Sequence, residues 1–369
     1  MRVTYLVSDL GGGAGHHLLD LLRSRDPGLW DAQVLSEVAS TSRMSLPVPH
    51  EHLPEPTGTR SYPLRQIFRY RQLAARFRQS DPGILHTYFF WSVLYGRLLK
   101  ARGLVARLVE NRDDLGFNWG RHEYAWLAAT RHLPDRVICV CEAVRAVVVE
   151  REGLSEGKVR VIRNGIIPGS ARHDDAAARQ SLRSELGLGP ADRVVGMVAN
   201  FDRPVKGAAD FVEMIPHVVR RVPTARFLLV GEGRSTPALR ARAQELGVAE
   251  RLSFTGFRAD VERIYELMDA SVLTSHSEGL SITILESMRA GVPVVATDVG
   301  GNRELVLPGK TGLIVPPRRP DLAGSAVAEL LLHPARSRGW GREAQARVRR
   351  SFDMRTVAAA YGSLYRELT

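Results

Sequence analysis

Short runs of β-branched and aliphatic residues alternate with helical segments along almost the whole chain of 369 residues. This alternation predicts βαβ units and parallel sheets, because parallel strands need a crossover that is usually a helix. A polar helix over residues 175–186 interrupts the series before a second one starts. We therefore expect an α/β chain with two Rossmann-like halves that meet at a cleft. Strands are predicted at residues 3–8, 33–38, 83–86, 105–109, 136–140, 159–162, 194–198, 226–230, 252–255, 270–274, 292–296 and 312–315, and the clearest helices at 18–23, 64–79, 95–101, 142–152 and 175–186.

The composition excludes several classes of protein. A hydrophobic fraction of 44% is ordinary for a globular chain and excludes global disorder. The longest apolar stretches are about five to eight residues, whereas a membrane span needs roughly 18. The N-terminus lacks the long apolar region and cleavage site of a signal peptide. We therefore expect a cytoplasmic protein.

The net charge of +11 is spread over both halves of the chain. Such positive charge suits anionic ligands such as nucleotides or lipid headgroups. Because the chain carries no nucleic-acid recognition motif, we expect no nucleic acid among its partners.

A glycine-rich segment, Gly11-Gly12-Gly13-Ala14-Gly15, separates the first strand from the first helix. Glycines let the backbone approach a phosphate, and the helix that follows offers free N–H groups and its positive dipole end. The alternative is a tight turn that binds nothing. The dinucleotide fingerprint does not fit, because its last glycine is missing.

Two cations follow the first strand of the second half. Arg203 and Lys206 lie where that strand ends, and Lys206 is one of only four lysines in the chain. Together they could hold a diphosphate and stabilise negative charge on a leaving group. The alternative is a solvated loop.

Two glutamates frame the start of a later helix. Glu278 precedes a helix that begins near residues 281–283, and Glu286 lies about one turn inside it. A phosphate can bind the free N–H groups of that helix start, while Glu286 accepts hydrogen bonds from a ribose and Glu278 faces a sugar hydroxyl. The alternative is that both glutamates are simply favourable charges at a helix start.

Taken together, these segments resemble the signature of the retaining family 4 glycosyltransferases, and the resemblance covers nearly the full chain. The residues that carry it are Glu278 and Glu286, Gly291-Val292-Pro293-Val294-Val295-Ala296, Gly300-Gly301-Asn302-Arg303-Glu304, Gly12-Gly13, Asn164-Gly165-Ile166, Lys206-Gly207, Gly231-Glu232-Gly233, Phe254-Thr255-Gly256-Phe257 and Lys310-Thr311-Gly312-Leu313-Ile314-Val315-Pro316-Pro317.

The resemblance implies a GT-B fold, with two Rossmann-like domains and a final helix that crosses back to the first. It implies an acceptor-binding domain over residues 1–168, joined by the crossover helix at about 354–369, and a nucleotide-sugar-binding domain over 169–353. It also implies a nucleotide-sugar donor, retention of the anomeric configuration, and no metal or other cofactor.

Carried over by position, the resemblance assigns the ribose to Glu286 and the transferred sugar to Glu278. It places Phe257 and Arg258 near the base, and Gly12 and Gly13 near the diphosphate. The remaining donor-binding residues that it implies, most of them around the diphosphate, are Arg203, Lys206, Gly231, Gly279, Leu280, Ser281, Ile282 and Thr283.

This sequence departs from the family pattern at two places. The family arginine that precedes the lysine is replaced by Asn200 and Phe201, so Arg203 is the substitute. The family histidine after the strand at 105–109 is also missing. Either Asp113 or Arg112 occupies the place of that histidine, or His86 contributes instead. The alternative for His86 is a structural residue at the end of a strand.

The segment over residues 60–79 is a basic helix with six arginines and no acidic residue. Such an amphipathic helix can lie on an anionic membrane, which would make the acceptor lipid-linked and the protein peripheral on the inner face of the membrane. The alternative is an ordinary surface helix whose apolar face joins the core.

The leading interpretation is a retaining glycosyltransferase of glycan, glycolipid or natural-product biosynthesis. The sequence leaves two alternatives open: a non-catalytic or membrane-associated protein that binds sugar nucleotides, and a nucleotide-sugar epimerase on the same scaffold. A phosphorylase is less consistent, since no lysine lies in a cofactor-attachment context. The sugar, the acceptor and the linkage are not encoded in the motifs.

Overall fold

The computed structural model describes residues 1–8, 10–37, 45–54, 62–117, 119–169 and 176–369. Two predicted features lie outside these ranges: Arg60 of the basic helix and the first residue of the helix predicted at 175. The chain divides into two compact units. Met1–Ile167 and Met354–Thr369 form the first unit, and Pro168–Asp353 forms the second.

The first unit is built on a seven-stranded parallel sheet in the order β3-β2-β1-β4-β5-β6-β7. The strand order reverses direction between β1 and β4, which defines a topological switch point. Its elements are β1 Arg2–Val7, α1 Gly12–Ser24, β2 Asp31–Ser36, β3 His50–His52, α2 Tyr62–Gln79, β4 Ile84–Tyr88, α3 Phe90–Ala101, β5 Arg107–Arg112, α4 Arg121–Ala129, β6 Arg136–Cys139, α5 Glu142–Arg151 and β7 Val159–Val161.

The C-terminal helix belongs to this first unit. Its residues run from Met354 to Arg366, and its buried face joins the core formed by β1, α1 and β4. Tyr361 and Tyr365 are fully buried there, and Gly362 lies against Trp30, where a Cβ would come within 2.8 Å of the indole. The predicted crossing of the last helix back to the first domain is thus confirmed.

The second unit contains a six-stranded parallel sheet in the order β10-β9-β8-β11-β12-β13, with its switch point between β8 and β11. Its elements are α6 Ala176–Glu185, β8 Arg193–Val198, α7 Ala208–Val219, β9 Ala225–Val230, α8 Thr236–Glu245, β10 Leu252–Gly256, α9 Val261–Tyr265, β11 Ala270–Leu273, α10 Ile282–Arg289, β12 Val294–Thr297, α11 Asn302–Leu305, β13 Gly312–Val315, α12 Pro320–Leu332 and α13 Pro334–Ser351; the C-terminal helix of the first unit is α14 Met354–Arg366.

Burial on both faces explains the strand sequences of both sheets. The middle strands are almost wholly buried runs of aliphatic residues, as parallel sheets covered by helices require. Close helix packing completes the second unit: α12 contacts α7 at Gly324, where a Cβ would lie 2.6 Å from the Cβ of His217.

Two of the differences from the predicted bounds in the first unit concern candidate site residues. The helix predicted from residue 18 begins at Gly12, so the glycine segment forms its first turn rather than a separate loop. Gly15 permits this packing, because a Cβ there would come within 1.8 Å of the Leu10 carbonyl oxygen. The strand predicted to end at His86 continues to Tyr88, which places His86 in the middle of a buried strand.

Candidate active site

Lys206 and Glu278 meet at the switch point of the second unit. Lys206 ends the 3₁₀ turn that follows β8, and Glu278 lies on the loop after the neighbouring strand β11. The Lys206 Nζ donates to both carboxylate oxygens of Glu278, at 2.7 Å to Oε1 and 2.9 Å to Oε2. The exposed fractions of the two side chains are 20% and 7%. Ligands of open α/β sheets bind at this edge, so the pair is the centre of the candidate site.

Glycine allows the two loops to approach closely. Gly207 has a φ of 69°, and a Cβ on it would lie 2.0 Å from the carbonyl oxygen of Thr274. The Thr274 hydroxyl donates to the Gly207 carbonyl at 2.7 Å. Any side chain at position 207 would therefore push Lys206 away from the loop that carries Glu278.

A third group fixes the Glu278 carboxylate. The Ser275 hydroxyl donates to Glu278 Oε1 at 2.6 Å, and Ser275 is fully buried. Neither motif nor resemblance singled out Ser275. The only signal in the sequence was its position three residues before Glu278, immediately after a strand.

The N-terminus of α10 lies directly after this loop. Ser281 is its N-cap, and the Ser281 hydroxyl accepts from the Ile284 amide at 3.4 Å and hydrogen-bonds the Thr283 hydroxyl at 2.9 Å. The chain from Gly279 to Ser281 is buried around the helix start. Backbone N–H groups at a helix start favour an anion, together with the positive end of the dipole.

Glu286 lies one turn into α10, as predicted, and is half-buried. The Tyr265 hydroxyl contacts both Glu286 Oε2 and the carbonyl oxygen of Thr283 at 3.2 Å. Burial, reinforced by the neighbouring Glu286 carboxylate, raises the pKa of Tyr265 well above its usual range. Tyr265 therefore stays protonated and orients Glu286. No spacing rule in the sequence could have linked these two residues.

Gly231 and the two predicted base-binding residues, Phe257 and Arg258, lie at the carboxyl ends of β9 and β10. Gly231 has a φ of 126° and donates its amide to the Gly256 carbonyl at 2.9 Å. Phe257, which follows, has 73% of its surface exposed. Arg258 instead forms a two-pronged ion pair with Asp260, with both contacts at 2.8 Å, and also contacts Glu185. An arginine held in this way is less available to a base than the sequence suggested.

Arg203 is exposed at the start of the same 3₁₀ turn that Lys206 ends. The structure therefore places both cations on one short turn beside the centre of the site. In the first unit, Gly12 and Gly13 are exposed in the first turn of α1, whose N-cap residue Gly11 provides no capping side chain.

His86 is a core residue of the first unit. It has no exposed surface, and its Nδ1 lies 2.7 Å from the Tyr365 hydroxyl on α14. The rings of Tyr5 and Tyr88 lie 5.3 and 4.8 Å from the imidazole. Burial lowers the pKa of His86 to about 3, so the ring is neutral. This geometry supports the structural alternative and argues against a catalytic role for His86.

Asp113 and Arg112, at the end of β5, have different surroundings and different partners. Asp113 is half-buried and accepts from the Asn111 amide at 2.6 Å. Burial, with a contribution from Asp114, raises the pKa of Asp113 to about 7. Arg112 is bound to Glu152 at 2.8 and 3.0 Å in a buried cluster and is not presented to a ligand.

That cluster joins three elements, α3, β5 and the end of α5. Arg97 of α3 pairs with Glu110 at 2.7 and 2.8 Å, and Arg112 contacts Glu110 at 2.9 Å. All four side chains, including Glu152 after α5, are at most 3% exposed. Buried charges persist only when they are paired, so the cluster is structural and fixes the strand end from which Asp113 projects.

The residues that the structure describes contain no group of three or more His, Cys, Asp or Glu side chains that could hold a metal ion. Across the same ranges, none of the helices combines the length and apolar character needed to cross a bilayer. The predicted independence from metal remains a prediction.

Two family models match the chain, one in each half. Residues 11–169 match the model described as Glycosyltransferase Family 4, and residues 192–333 match the model described as Glycosyl transferases group 1. The fold and the site thus define a GT-B protein with two parallel-sheet α/β units. The chain belongs to the family 4 glycosyltransferases, and the resemblance found in the sequence is confirmed.

Curated relatives match roughly half of the chain. This chain is 35% identical over 201 residues to a GDP-mannose-dependent alpha-(1-6)-phosphatidylinositol monomannoside mannosyltransferase of Mycobacterium tuberculosis. The matched region covers 52% of each of the two chains. This chain is 31% identical over 214 residues to the D-inositol 3-phosphate glycosyltransferase of Segniliparus rotundus, covering 56% of this chain and 47% of the relative. The chain spans about half the length of the curated relatives it matches.

Solved structures match the whole chain. The structure of HepE from Anabaena in complex with UDP and glucose has a TM-score of 0.86 at 21% identity and covers 100% of both chains. WaaG, a glycosyltransferase involved in lipopolysaccharide biosynthesis, has a TM-score of 0.79 at 14% identity and covers 98% of this chain and 99% of its own. At these identities the likeness concerns the fold.

Proposed function

We propose that this chain is a retaining glycosyltransferase that moves a sugar from a nucleotide-sugar donor to an acceptor hydroxyl, in glycan, glycolipid or natural-product biosynthesis. The observation that carries the proposal is the pair of Lys206 and Glu278 at the switch point, with Glu286 following on α10. Burying a charged pair at an open sheet edge costs free energy. A ligand that uses both charges explains why the pair is there.

Each group of the donor has a matching group in the second unit. The ribose hydroxyls would donate to Glu286, and the amides at the α10 start would bind the diphosphate. Lys206 and Arg203 would balance the charge of the diphosphate, and Phe257 would lie near the base. The assignments of Gly12, Gly13 and Gly231 to the donor stay predictions.

The ion pair suggests how Lys206 and Glu278 exchange each other for the donor when the donor binds. Lys206 neutralises Glu278 before binding. A sugar hydroxyl would then donate to Glu278, and Lys206 would turn its ammonium towards the diphosphate. As the bond from the sugar to the diphosphate breaks, Lys206 and Arg203 stabilise the developing charge.

Retention would follow from attack on the same face that the diphosphate leaves. A diphosphate oxygen would accept the proton of the acceptor hydroxyl as the new glycosidic bond forms. Asp113, with its pKa near neutrality, is the remaining candidate of the first unit for a polar contact with the transferred sugar.

We propose that this reaction needs no metal ion, because Arg203 and Lys206 supply the positive charge that a metal would otherwise provide. Turnover should persist in EDTA, measured as release of nucleoside diphosphate. Loss of turnover in EDTA that added Mg²⁺ or Mn²⁺ restores would contradict the proposal.

The central experiment screens nucleotide sugars by thermal shift and then measures product release. The mycobacterial relative is named for GDP-mannose and the HepE structure contains UDP, so UDP- and GDP-sugars form the first panel. A donor at 100 times its Kd stabilises by about 2.7 kcal/mol. Release of nucleoside diphosphate only when an acceptor is present supports a transferase.

Two other outcomes identify the alternatives. Binding without any turnover, across donors and acceptors, would identify a protein that only binds sugar nucleotides. Conversion of one nucleotide sugar into its epimer, with no acceptor present, would identify an epimerase.

We also propose a peripheral contact between α2 and an anionic membrane. Leu64, Ile67 and Phe68 project outward from this helix with 41–52% of their surfaces exposed. The exposed Arg71 and Arg78 follow on the same helix. The buried Leu73, Ala74 and Phe77 form its inner face and join the core, as expected for an ordinary surface helix. The exposed apolar residues on the outer face have no such role in the core, and they would contact the membrane. A lipid-linked acceptor on the inner face of a membrane would fit this surface.

A further inference from the structure

Glu37 is a buried carboxylate in the first unit that the donor mechanism does not use. It follows β2, and 7% of its surface is exposed. The Ser92 hydroxyl donates to its Oε1 at 2.6 Å and the Ser8 hydroxyl at 3.1 Å. Arg69 donates at 2.5 Å to the main-chain oxygen of Glu37. In the described part of the chain, no donor hydrogen-bonds its Oε2.

These three residues come from three strand ends. Ser8 follows β1, Glu37 follows β2, and Ser92 lies in the first turn of α3 after β4. The strands β2, β1 and β4 are consecutive in the sheet, and the switch point lies between β1 and β4. The carboxylate therefore lies at the edge where an open α/β sheet binds its ligands.

An aromatic surface borders the same edge. Phe90 in the first turn of α3 lies 5.6 Å from the ring of Trp119, which belongs to the loop after β5. Both rings are half-buried. The residue before Phe90 is Phe89, with a φ of 67° that residues other than glycine rarely adopt. Helix α3 begins directly after Phe89, and its first turn carries both Ser92, which contacts Glu37, and Phe90, which lies against Trp119.

The two ends of this surface differ in chemistry and are separated along the sheet. Residues that follow β2 lie two strand spacings, about 10 Å, from those that follow β4, such as Phe90, and three spacings, about 14 Å, from those that follow β5, such as Trp119. A carboxylate accepts hydrogen bonds from hydroxyl groups but repels phosphate, whereas aromatic rings bind the apolar C–H face of a sugar ring. A ligand that satisfies both ends has several hydroxyls, apolar ring faces, no phosphate at the carboxylate, and more than one ring.

We infer that Glu37, with Ser8 and Ser92, and the Phe90–Trp119 pair form the two ends of a binding surface for a carbohydrate of more than one ring. Its use as the acceptor site rests on the proposed function. The carbohydrate has two sources with the same chemistry, the end of a soluble oligosaccharide or the head of a glycolipid. Glu37 orients one hydroxyl, and the aromatic pair holds a ring further along.

Saturation-transfer NMR on the full chain tests this inference. The probes are methyl glycosides and methyl disaccharides of gluco, galacto and manno configuration, with octyl disaccharides below their micellar concentration as lipid-like versions. We expect a disaccharide to bind more tightly than its monosaccharide. Glu37→Gln should weaken disaccharide binding about 10-fold, as expected for loss of a hydrogen bond to a charged group.

Matched variants separate binding from folding. Asp31→Asn changes an exposed carboxylate at the opposite end of the same strand as Glu37, and Leu98→Ala changes an exposed residue on the same helix as Phe90. Both should bind the probes normally, whereas Phe90→Leu should weaken them. Ser8→Ala provides a second, milder change at the carboxylate end. Thermal unfolding of each variant shows whether it is folded.

The outcomes are distinct from those of the proposed function. Equal binding of methyl and octyl disaccharides supports the inference with a soluble source, and tighter binding of the octyl forms supports it with a lipid source. No probe binding, or equal weakening by the control variants, would overturn the inference, while UDP binding and turnover would leave the proposed function intact. Conversely, absence of nucleotide binding with normal probe binding would refute only the proposed function.

Discussion

At the scale of single residues, Glu278 and Glu286 have different partners, as the separate roles proposed for them would require. Glu278 is bound by a cation, Lys206, whereas Glu286 contacts a neutral phenol, Tyr265. Removing a carboxylate that accepts from a ligand hydroxyl costs about 1.5–3 kcal/mol, or about 10- to 150-fold in affinity. Glu286→Ala should therefore weaken both the bare nucleoside diphosphate and the nucleotide sugar by such a factor.

Glu278→Ala should act on turnover instead. This change frees the Lys206 ammonium, so affinity for the bare diphosphate should stay the same or increase, while transfer to an acceptor falls. Calorimetry with diphosphate alone on both variants provides the test, and Glu245→Ala on the exposed part of α8 is the control. Loss of diphosphate affinity in Glu278→Ala but not in Glu286→Ala would reverse the two assignments.

Asp113 predicts a dependence of stability on pH. Its pKa rises from 3.8 to about 7 on folding, mainly through burial, so the native state holds a proton that the unfolded chain releases. Its contribution to the free energy of unfolding is thus fully present below pH 3.8 and is lost as the pH rises towards 7. The side chain of the Asp113→Asn variant cannot ionise. The Tm of this variant minus the Tm of the wild type should therefore be higher at pH 8 than at pH 5.

Thermal unfolding of both proteins at the two pH values measures this difference. Glu150→Gln, an exposed position on α5, should show the same offset from the wild type at both values. An offset for Asp113→Asn that does not change with pH would mean that the Asp113 carboxylate titrates near its ordinary pKa.

At the scale of elements, periodicity located most strands but not their ends. The β5 region was predicted at 105–109 and runs to Arg112, because the Arg112 guanidinium is buried in an ion-pair cluster that extends the strand. The start of α1 at Gly12 depends on the contact between Gly15 and Leu10, which are brought together by the turn itself. Contacts of this kind cannot be predicted from the propensities of single residues. The short helix α4 was also not predicted, because its sequence is only weakly amphipathic.

Motifs predicted the candidate site better than they predicted its supports. Glu278, Lys206 and Glu286 lie where the spacing places them, since strand ends of a parallel sheet share one edge. Ser275 and Tyr265, which hold the two carboxylates, needed the folded chain to be found. The interpretation of His86 as catalytic was weakened by a strand that continues two residues further than its sequence suggests.

The outer face of α2 gives a prediction at this scale. Leu64, Ile67 and Phe68 form an exposed apolar strip, and Arg71 and Arg78 supply exposed positive charge. The protein should sediment with phosphatidylglycerol vesicles at low salt and be released at high salt, because screening weakens the arginine contribution. Replacing the three apolar residues by serine should reduce binding at both salt concentrations.

Controls separate the two contributions. Replacing Arg71 and Arg78 by glutamine should reduce binding at low salt, while vesicles of phosphatidylcholine should bind little of either protein. Absence of binding to anionic vesicles at low salt would leave α2 an ordinary surface helix, and binding that salt does not affect would exclude the arginines as its cause.

At the scale of the whole molecule, the C-terminal helix belongs to the first unit, together with the N-terminal half of the chain. A substitution in this helix can therefore destabilise the first unit while the nucleotide-binding residues of the second unit stay unchanged. Tyr365 on α14 is fully buried, hydrogen-bonds the Tyr5 hydroxyl at 3.0 Å, and contacts His86. Tyr365→Ala should destabilise the first unit by about 3–5 kcal/mol, as for other buried aromatic residues replaced by alanine. The second unit has its own sheet and core, so affinity for the bare diphosphate should not change below the unfolding temperature. Ser363→Ala on the exposed side of the same helix is the control, and calorimetry with UDP or GDP is the measurement. A loss of diphosphate affinity in folded Tyr365→Ala, but not in Ser363→Ala, would show that the first unit contributes to nucleotide binding.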